Sequence, residues 1–539
     1  MMKHIKLASA LALFLSLDFN SAFQTPSPQL RQTKVRKIWR QYATTLSPGN
    51  LEVTNEATNV NPQESEDDFN WFKAWYPLVP VEFLDNEKPH AFKLLGMDVV
   101  VWNDGPVEKS PLFGPRKERM KGAKKSNGNW RVFVDQCPHR KVPLSEGRIE
   151  DDGSLLCSYH GWRFNGKGET IDVPQISQTN EFDKIRANPK SQCNSFPVKI
   201  VDGVLWVWPD SSDDSRIEAL LNDVPPSAVD QSQDDVDKER VFYGTWNFRE
   251  LPYGHDYFIE NVVDPAHVPV SHHNLVGSRY DDQSLQLKTL KPLDKKGFSI
   301  ITSDGASTEY TAPSQVLIKA PFGEEGAAQY LELYSSPSRP GFSNHVGRIV
   351  VIKDEKNEMP KMLKQFTIPL PMWVNHIMAS AFLHQDALFL HGQERSLAIN
   401  GEYRSSSPDG KNDKYSKAIL PISADKGVLK FRKWMSQFAG GYIPFKGDLT
   451  MPAPSNEVVF DVWNSHTKNC KYCLTALKNL KKARFATFFA SALLATVRPK
   501  KLGVIGSTVS ALALSGIGLL LTKLIGMFYR YEFSHADNH

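Results

Sequence analysis

The chain has 539 residues, of which 41% are hydrophobic and 23% charged, with a formal net charge of +4. That length admits two or three globular domains with sizeable cores, and the composition excludes an extended disordered chain. The basic residues are spread over terminal, loop and apolar-flanking segments rather than over one face, which argues against nucleic acid as a partner.

In chain order, residues 1–51 read as a bipartite plastid presequence. Lys3 and Lys6 precede an apolar run from Leu7 to Leu17, with small residues at Ser21 and Ala22. This is a secretory-type signal too short to span a membrane. Phe23 then opens a stretch carrying Arg31, Lys34, Arg36, Lys37 and Arg40, with no acid before Glu52. The pair of signals resembles presequences used where plastids lie inside extra membranes; an ordinary secretory signal before a basic linker is the alternative. Residues 52–68 are an acidic linker.

From 69 to 210, short β-branched and aromatic runs alternate with Gly and Pro, predicting an all-β domain. Lys109 to Lys125 interrupts it with seven basic residues, read as a solvated loop or a docking patch for an acidic protein. A charged connector covers 211–240. Residues 241–465 mix strands with helical stretches, so the expected fold class is α+β: an all-β first domain, an α+β second domain and a membrane-anchoring tail.

Two segments carry metal chemistry. The first reads Cys137-x-His139-x17-Cys157-x-x-His160, each arm offering one thiolate and one imidazole. A zinc site of two Cys and two His commonly pairs like with like, whereas mixed arms suit a Rieske [2Fe-2S] centre, in which one iron takes both sulfurs and the other both imidazoles. A zinc knuckle is the alternative. Further on, Asn261, Asp264, His267 and His272 form N-x2-D-x2-H-x4-H. An irregular helix can aim His267 and His272 at one ion, and a distant carboxylate would complete the two-histidine, one-carboxylate face of non-haem iron oxygenases. His273 is the adjacent competitor. For the carboxylate, Asp386 lies in an apolar context that makes an unpaired charge costly; Glu394 and Asp256 are the alternatives.

Residues 466–539 hold Cys470-x-x-Cys473 and an uncharged run from Leu502 to Leu521, long enough to cross a bilayer. Phe485 to Val497 is shorter and lies between basic clusters, predicting a re-entrant or interfacial segment, with a tight hairpin as the alternative. No second CxxC exists in the chain, so the cysteine pair is read as a reversible dithiol rather than half of a zinc site.

The flanks Cys137-Pro138-His139-Arg140 and Tyr159-His160-Gly161-Trp162, the N-x2-D-x2-H-x4-H element and the late Asp386 with Gln393 together resemble the pheophorbide a oxygenase group of Rieske monooxygenases, which includes chlorophyllide, protochlorophyllide and translocon-associated members. The CxxC behind His466 and Thr467 resembles the pheophorbide and translocon-associated branches. This resemblance implies a 2Fe-2S cluster on Cys137, His139, Cys157 and His160, and a mononuclear ferrous iron on His267, His272 and Asp386. It implies reduced ferredoxin and dioxygen as co-substrates and a chlorophyll-derived tetrapyrrole as substrate. It further implies a homotrimer in which Asp264 bridges His267 to a cluster histidine of the neighbour, with Asn261 beside it, and a thioredoxin-type partner for Cys470 and Cys473. The expected location is a plastid membrane, inner envelope or thylakoid, with the catalytic domains facing the stroma. A membrane-bound redox sensor without turnover is the competing reading.

Overall fold

A computed structural model describes residues 69–105, 128–228, 240–280, 284–323, 326–354, 356, 358–364, 367–399, 419–497 and 502–535. The expected presequence, the acidic linker, the basic insertion and most of the 211–240 connector's second half lie outside the described residues.

Three small antiparallel sheets make up the first part. One joins β1 (Tyr76–Pro80), β10 (Val204–Val207) and β9 (Val198–Val201); the next joins β2 (His90–Leu94), β3 (Met97–Asn103) and β4 (Trp130–Val134). The last is a four-stranded meander of two- and three-residue strands: β5 (Arg148–Ile149), β6 (Leu155–Leu156), β7 (Arg163–Phe164) and β8 (Thr170–Asp172). Trp102, Phe133, Leu155 and Phe164 form a common core, and Cys137 and Cys157 are part of it. Helices α1 (Thr179–Ala187) and α2 (Asp213–Leu221) follow the meander and β10 respectively.

The second part is built on an eight-stranded antiparallel sheet ordered β11-β18-β17-β16-β15-β14-β13, with β12 also on β18. Its strands are β11 (Val241–Tyr243), β12 (Asn247–Leu251), β13 (Lys288–Asp294), β14 (Gly297–Ile301), β15 (Ser307–Thr311), β16 (Gln315–Pro321), β17 (Ala328–Arg339) and β18 (Phe342–Ile352). Alternating burial along β17 shows one face packed and one partly wet, as expected of an antiparallel sheet. Helices α3 (His255–Val262), α4 (Met372–Ile399) and α5 (Lys426–Phe438) pack with it.

Helix α4 inverts the usual amphipathic rule. Its 28 residues bury His376, Ser380, His384, Asp386, His391 and Glu394, a polar stripe at roughly helical spacing where apolar residues are the norm. Burial is tolerable because the groups are partnered. Arg249 reaches Ser380 Oγ at 2.7 Å and His384 Nε2 at 3.1 Å. His391 Nδ1 donates to the Pro252 carbonyl at 2.7 Å, and Glu394 accepts from the Gly254 N–H and from Arg395.

The chain ends in a helical hairpin. α6 (Lys471–Val497) and α7 (Gly503–Met527) pack along each other, with Ser491 Oγ donating to the Ala511 carbonyl at 2.6 Å. At Gly518 a side chain would meet the Phe488 ring at 2.7 Å, so the glycine sets the close approach. Phe485 to Val497 is the second half of a long helix continuous with Lys471 to Arg484, and with α7 it forms the hairpin given above as the alternative. Only α7, among the described residues, is long and apolar enough to cross a membrane. Phe485 and Phe489 on α6, and Ile505 and Leu512 on α7, are all exposed.

Candidate metal centres

The two Cys-His arms are near copies. In each, the cysteine N–H donates to the carbonyl five residues on, Val142 or Trp162, and the residue four on, Lys141 or Gly161, donates back to the cysteine carbonyl. Lys141 and Gly161 have φ of 62° and 77°, so both loops close through a left-handed residue. Cys137 and Cys157 are buried side by side, while His139 is exposed and His160 half-buried, their rings 4.7 Å apart. His139 stacks on Trp162 at 4.8 Å. The Cys137 thiol, opposed by burial and aided by the N–H groups of Tyr159 and His160, draws the Cys157 thiol below its usual range. Two adjacent sulfurs inward and two imidazoles outward are the donor arrangement a Rieske cluster takes, and N–H groups aimed at the sulfurs tune its potential.

The second centre is assembled from α3, the turn after it and α4. Asp264 caps a single turn of 3-10 helix, Pro265–His267, its carboxylate accepting from the Ala266 N–H at 2.9 Å. A one-turn helix, Val268–Ser271, continues it and ends at His272. This break in helical form turns both histidines toward Asp386: the Nε2 atoms of His272 and His267 lie 3.2 and 3.9 Å from Asp386 Oδ2. His272 Nδ1 donates to Gln385 Oε1 at 2.7 Å, and His267 Nδ1 donates to the Asp264 carbonyl at 2.5 Å. With those protons committed, each Nε2 presents a lone pair, and so does the carboxylate. The two Nε2 atoms and the carboxylate thus converge as possible electron-pair donors, a set that fits a divalent cation. His272 Nε2 is buried without a hydrogen-bond partner. Asp386 also accepts from Asn261 Nδ2 at 3.0 Å. Although burial opposes it, the neighbouring His272 and His267 with Asn261 hold the Asp386 carboxyl below its usual range.

His273 points elsewhere, accepting from the Arg279 N–H at 3.1 Å. Glu394 and Asp256 flank Gly254, where a Cβ would come within 2.7 and 2.8 Å of their oxygens, so they lie together and apart from the histidines. Gln393 is exposed. The bridging geometry differs from expectation in one respect: the Asp264 backbone carbonyl, and not its carboxylate, receives His267. Burial raises the Asp264 carboxyl above its usual range against the Ala266 N–H. Sequence reasoning missed Gln385 and Phe382, which stacks on His272 at 4.1 Å; their positions beside Asp386 were the only available signal.

Cys470 and Cys473 are free, fully buried thiols, and His376 of α4 lies with His466 between them.

A Rieske [2Fe-2S] domain is matched at residues 74–183 and a pheophorbide a oxygenase domain at 310–403. Flavonoid 8-hydroxylase 2, chloroplastic, of Ocimum basilicum is 28% identical, covering 89% of this chain and 88% of its own. Pheophorbide a oxygenase, chloroplastic, of Oryza sativa is 28% identical, covering 83% and 80%. Protochlorophyllide-dependent translocon component 52, chloroplastic, of Arabidopsis thaliana is 26% identical, covering 86% and 84%. A solved structure of dicamba monooxygenase is 18% identical over 68% of this chain and 97% of that one, with a TM-score of 0.45.

The chain is a Rieske non-haem iron oxygenase, a class that works with a 2Fe-2S cluster and a mononuclear iron. Within that class its relatives include pheophorbide a oxygenase, chlorophyllide a oxygenase and the protochlorophyllide-dependent translocon component.

Proposed function

We propose that this chain is a plastid-membrane monooxygenase that uses reduced ferredoxin and dioxygen to oxidise a chlorophyll-derived tetrapyrrole. The observation that carries it is the convergence of His267, His272 and Asp386, beside a complete Cys-His pair of arms in the same chain. Cys137, His139, Cys157 and His160 would hold the cluster. When bound, the cluster supplies electrons one at a time and the iron supplies open coordination positions for dioxygen.

The protein's own groups do the positioning. Gln385 and the Asp264 carbonyl fix the tautomers of His272 and His267, and Asn261 orients the Asp386 carboxylate. The outward-facing His139 and His160 suit electron transfer to a second copy, so we assign the Asp264 carboxylate to a cluster histidine of a neighbouring subunit in a homotrimer. The exposed apolar hairpin suits attachment to a plastid membrane, and the relatives are chloroplastic. Basic residues at Lys481, Lys482 and Arg484 favour the stromal side for the catalytic body.

The coverage of the flavonoid 8-hydroxylase favours one second reading, a planar polyphenol as substrate. Turnover of the purified chain with reduced ferredoxin and isotopically labelled dioxygen tests both. Pheophorbide, chlorophyllide, protochlorophyllide and flavones would be offered and the products read by mass spectrometry. Label in a tetrapyrrole supports the proposal, and label confined to flavones replaces the substrate. No label, from protein holding about two irons rather than about three per chain, replaces turnover by redox sensing.

A further inference from the structure

We infer that His376, His466, Cys470 and Cys473 hold a structural zinc ion that ties the C-terminal hairpin to the catalytic body. Their donor atoms all lie within 4.8 Å of one another, and all four side chains are buried. His466 Nε2 is 3.0 Å from His376 Nδ1 and 3.4 Å from Cys473 Sγ. His376 Nδ1 is 3.4 Å from Cys473 Sγ and 3.5 Å from Cys470 Sγ. Zinc bound to sulfur at about 2.3 Å and to nitrogen at about 2.0 Å gives tetrahedral edges of roughly 3.3 Å between nitrogens and about 3.5 Å between nitrogen and sulfur. The observed edges fall within a few tenths of an ångström of these.

The surroundings suit a metal in three ways. His466 Nδ1 donates to the Phe248 carbonyl on β12 at 2.7 Å, which leaves Nε2 as a lone pair facing the cluster and is the outer contact that orients a metal-bound imidazole. Four donors with no carboxylate and no opening to solvent make a closed, soft-ligand site of the structural kind. Finally, the sulfur and nitrogen donors are interleaved. A two-iron cluster would put the sulfur pair and the imidazole pair on different irons and so hold sulfur and nitrogen well apart; here three nitrogen–sulfur distances are 3.4 to 3.5 Å, close to the 3.0 Å between the nitrogens, which points to a single ion.

A thiol-disulfide switch accounts for less. Reactive dithiols are partly exposed to their partner, whereas Cys470 is 0% and Cys473 1% exposed. Nor does a dithiol need His376, which arrives from a different helix. The placement also gives the ion a task. Cys470 immediately precedes α6, Cys473 lies in its first turn, His376 is in the first turns of α4, and Thr467 Oγ1 donates to the Phe528 carbonyl at the end of α7. One ion here joins the root of the apolar hairpin to β12 and α4 of the catalytic body.

The test uses the full chain purified in detergent without added zinc. Elemental analysis should find one zinc per chain besides iron. Zinc-edge X-ray absorption should fit two sulfurs at about 2.3 Å and two nitrogens at about 2.0 Å. Cys473→Ala and His376→Gln should each lose that zinc while keeping the iron content and the visible spectrum of the 2Fe-2S cluster. Recovery of Cys470 and Cys473 as a disulfide, or as freely alkylated thiols in zinc-free protein, would overturn the proposal, as would a fourth iron in place of zinc. Where the variants fail to fold, the wild-type absorption edge decides: a shell of oxygen and nitrogen alone sinks the site. None of these readouts depends on substrate or turnover, so they stand or fall apart from the oxygenase reading.

Discussion

His376 and Asp386 lie on one helix, ten residues and so about 15 Å apart along its axis, and each completes a donor cluster of opposite character. Around Asp386 the donors are two imidazoles and a carboxylate, with His267 half-buried. Around His376 they are two thiols and two imidazoles, sealed from solvent. Three donors that include a carboxylate and a half-buried imidazole suit an ion that admits another ligand, whereas four soft donors in a closed shell suit one that never does. A single rigid helix can therefore serve chemistry at its middle and anchorage at its start.

The largest effect expected is from Asp386→Ala. It should remove the mononuclear iron and lower turnover by roughly 100-fold or more, while leaving the cysteine cluster's metal in place. Loss of both metals together would break the proposed independence of the two ends of α4. Next comes acid, which separates donor histidines from merely buried ones. Burial, partly offset by the Asp256 charge and the Tyr334 carbonyl respectively, lowers His255 and His345 to about 4, and burial with the nearby Arg395 charge lowers His391 to about 4. A histidine depressed in the folded state stabilises the fold fully above about pH 6.5, and that contribution is lost as pH falls from about 6.5 toward about 4. His255 and His345 should each contribute up to about 3 kcal/mol, and His391 less. Urea unfolding followed across that range should show the decline, and a flat profile would mean these rings charge in place.

Glu394→Ala removes one partner of a buried pair with Arg395, with both side chains almost wholly buried. Stability should fall by about 3 kcal/mol, with iron content unchanged in the folded fraction; iron loss from well-folded protein would move the carboxylate ligand to Glu394. The smallest effect is from Gln385→Leu, which frees the His272 tautomer and should weaken iron binding or turnover by about 10-fold to 100-fold. Equal turnover in wild type and variant would show that the Asp386 side of the comparison needs no outer support.

Particular residues explain how much was legible. Both arms of the cluster motif are short loops closed by their own backbone, so their ligand types and spacing appear as a local string. The same holds for the run from Asn261 to His272, whose helix is irregular as the histidine spacing requires. The apolar stretch from Leu502 to Leu521 needs no partner to be recognised, but the extension of α6 through Phe485 to Val497 depended on packing against α7. Helix α4 was hardest, because its buried stripe is polar and runs against hydrophobic periodicity.

By itself, the sequence determined the class of the protein: the two Cys-His arms, the two histidines of the oxygenase element and the apolar C-terminal helix are all written within short spans. Tertiary structure alone decided that Asp386, rather than Glu394 or Asp256, meets those histidines, that Gln385 supports one of them, and that His376 joins a cysteine pair 94 residues further along the chain. The reason is physical. A carboxylate or imidazole on a long helix has no local pattern to mark its partner, and only the packing of α4 against β12, α3 and α6 selects which face it presents to which cluster.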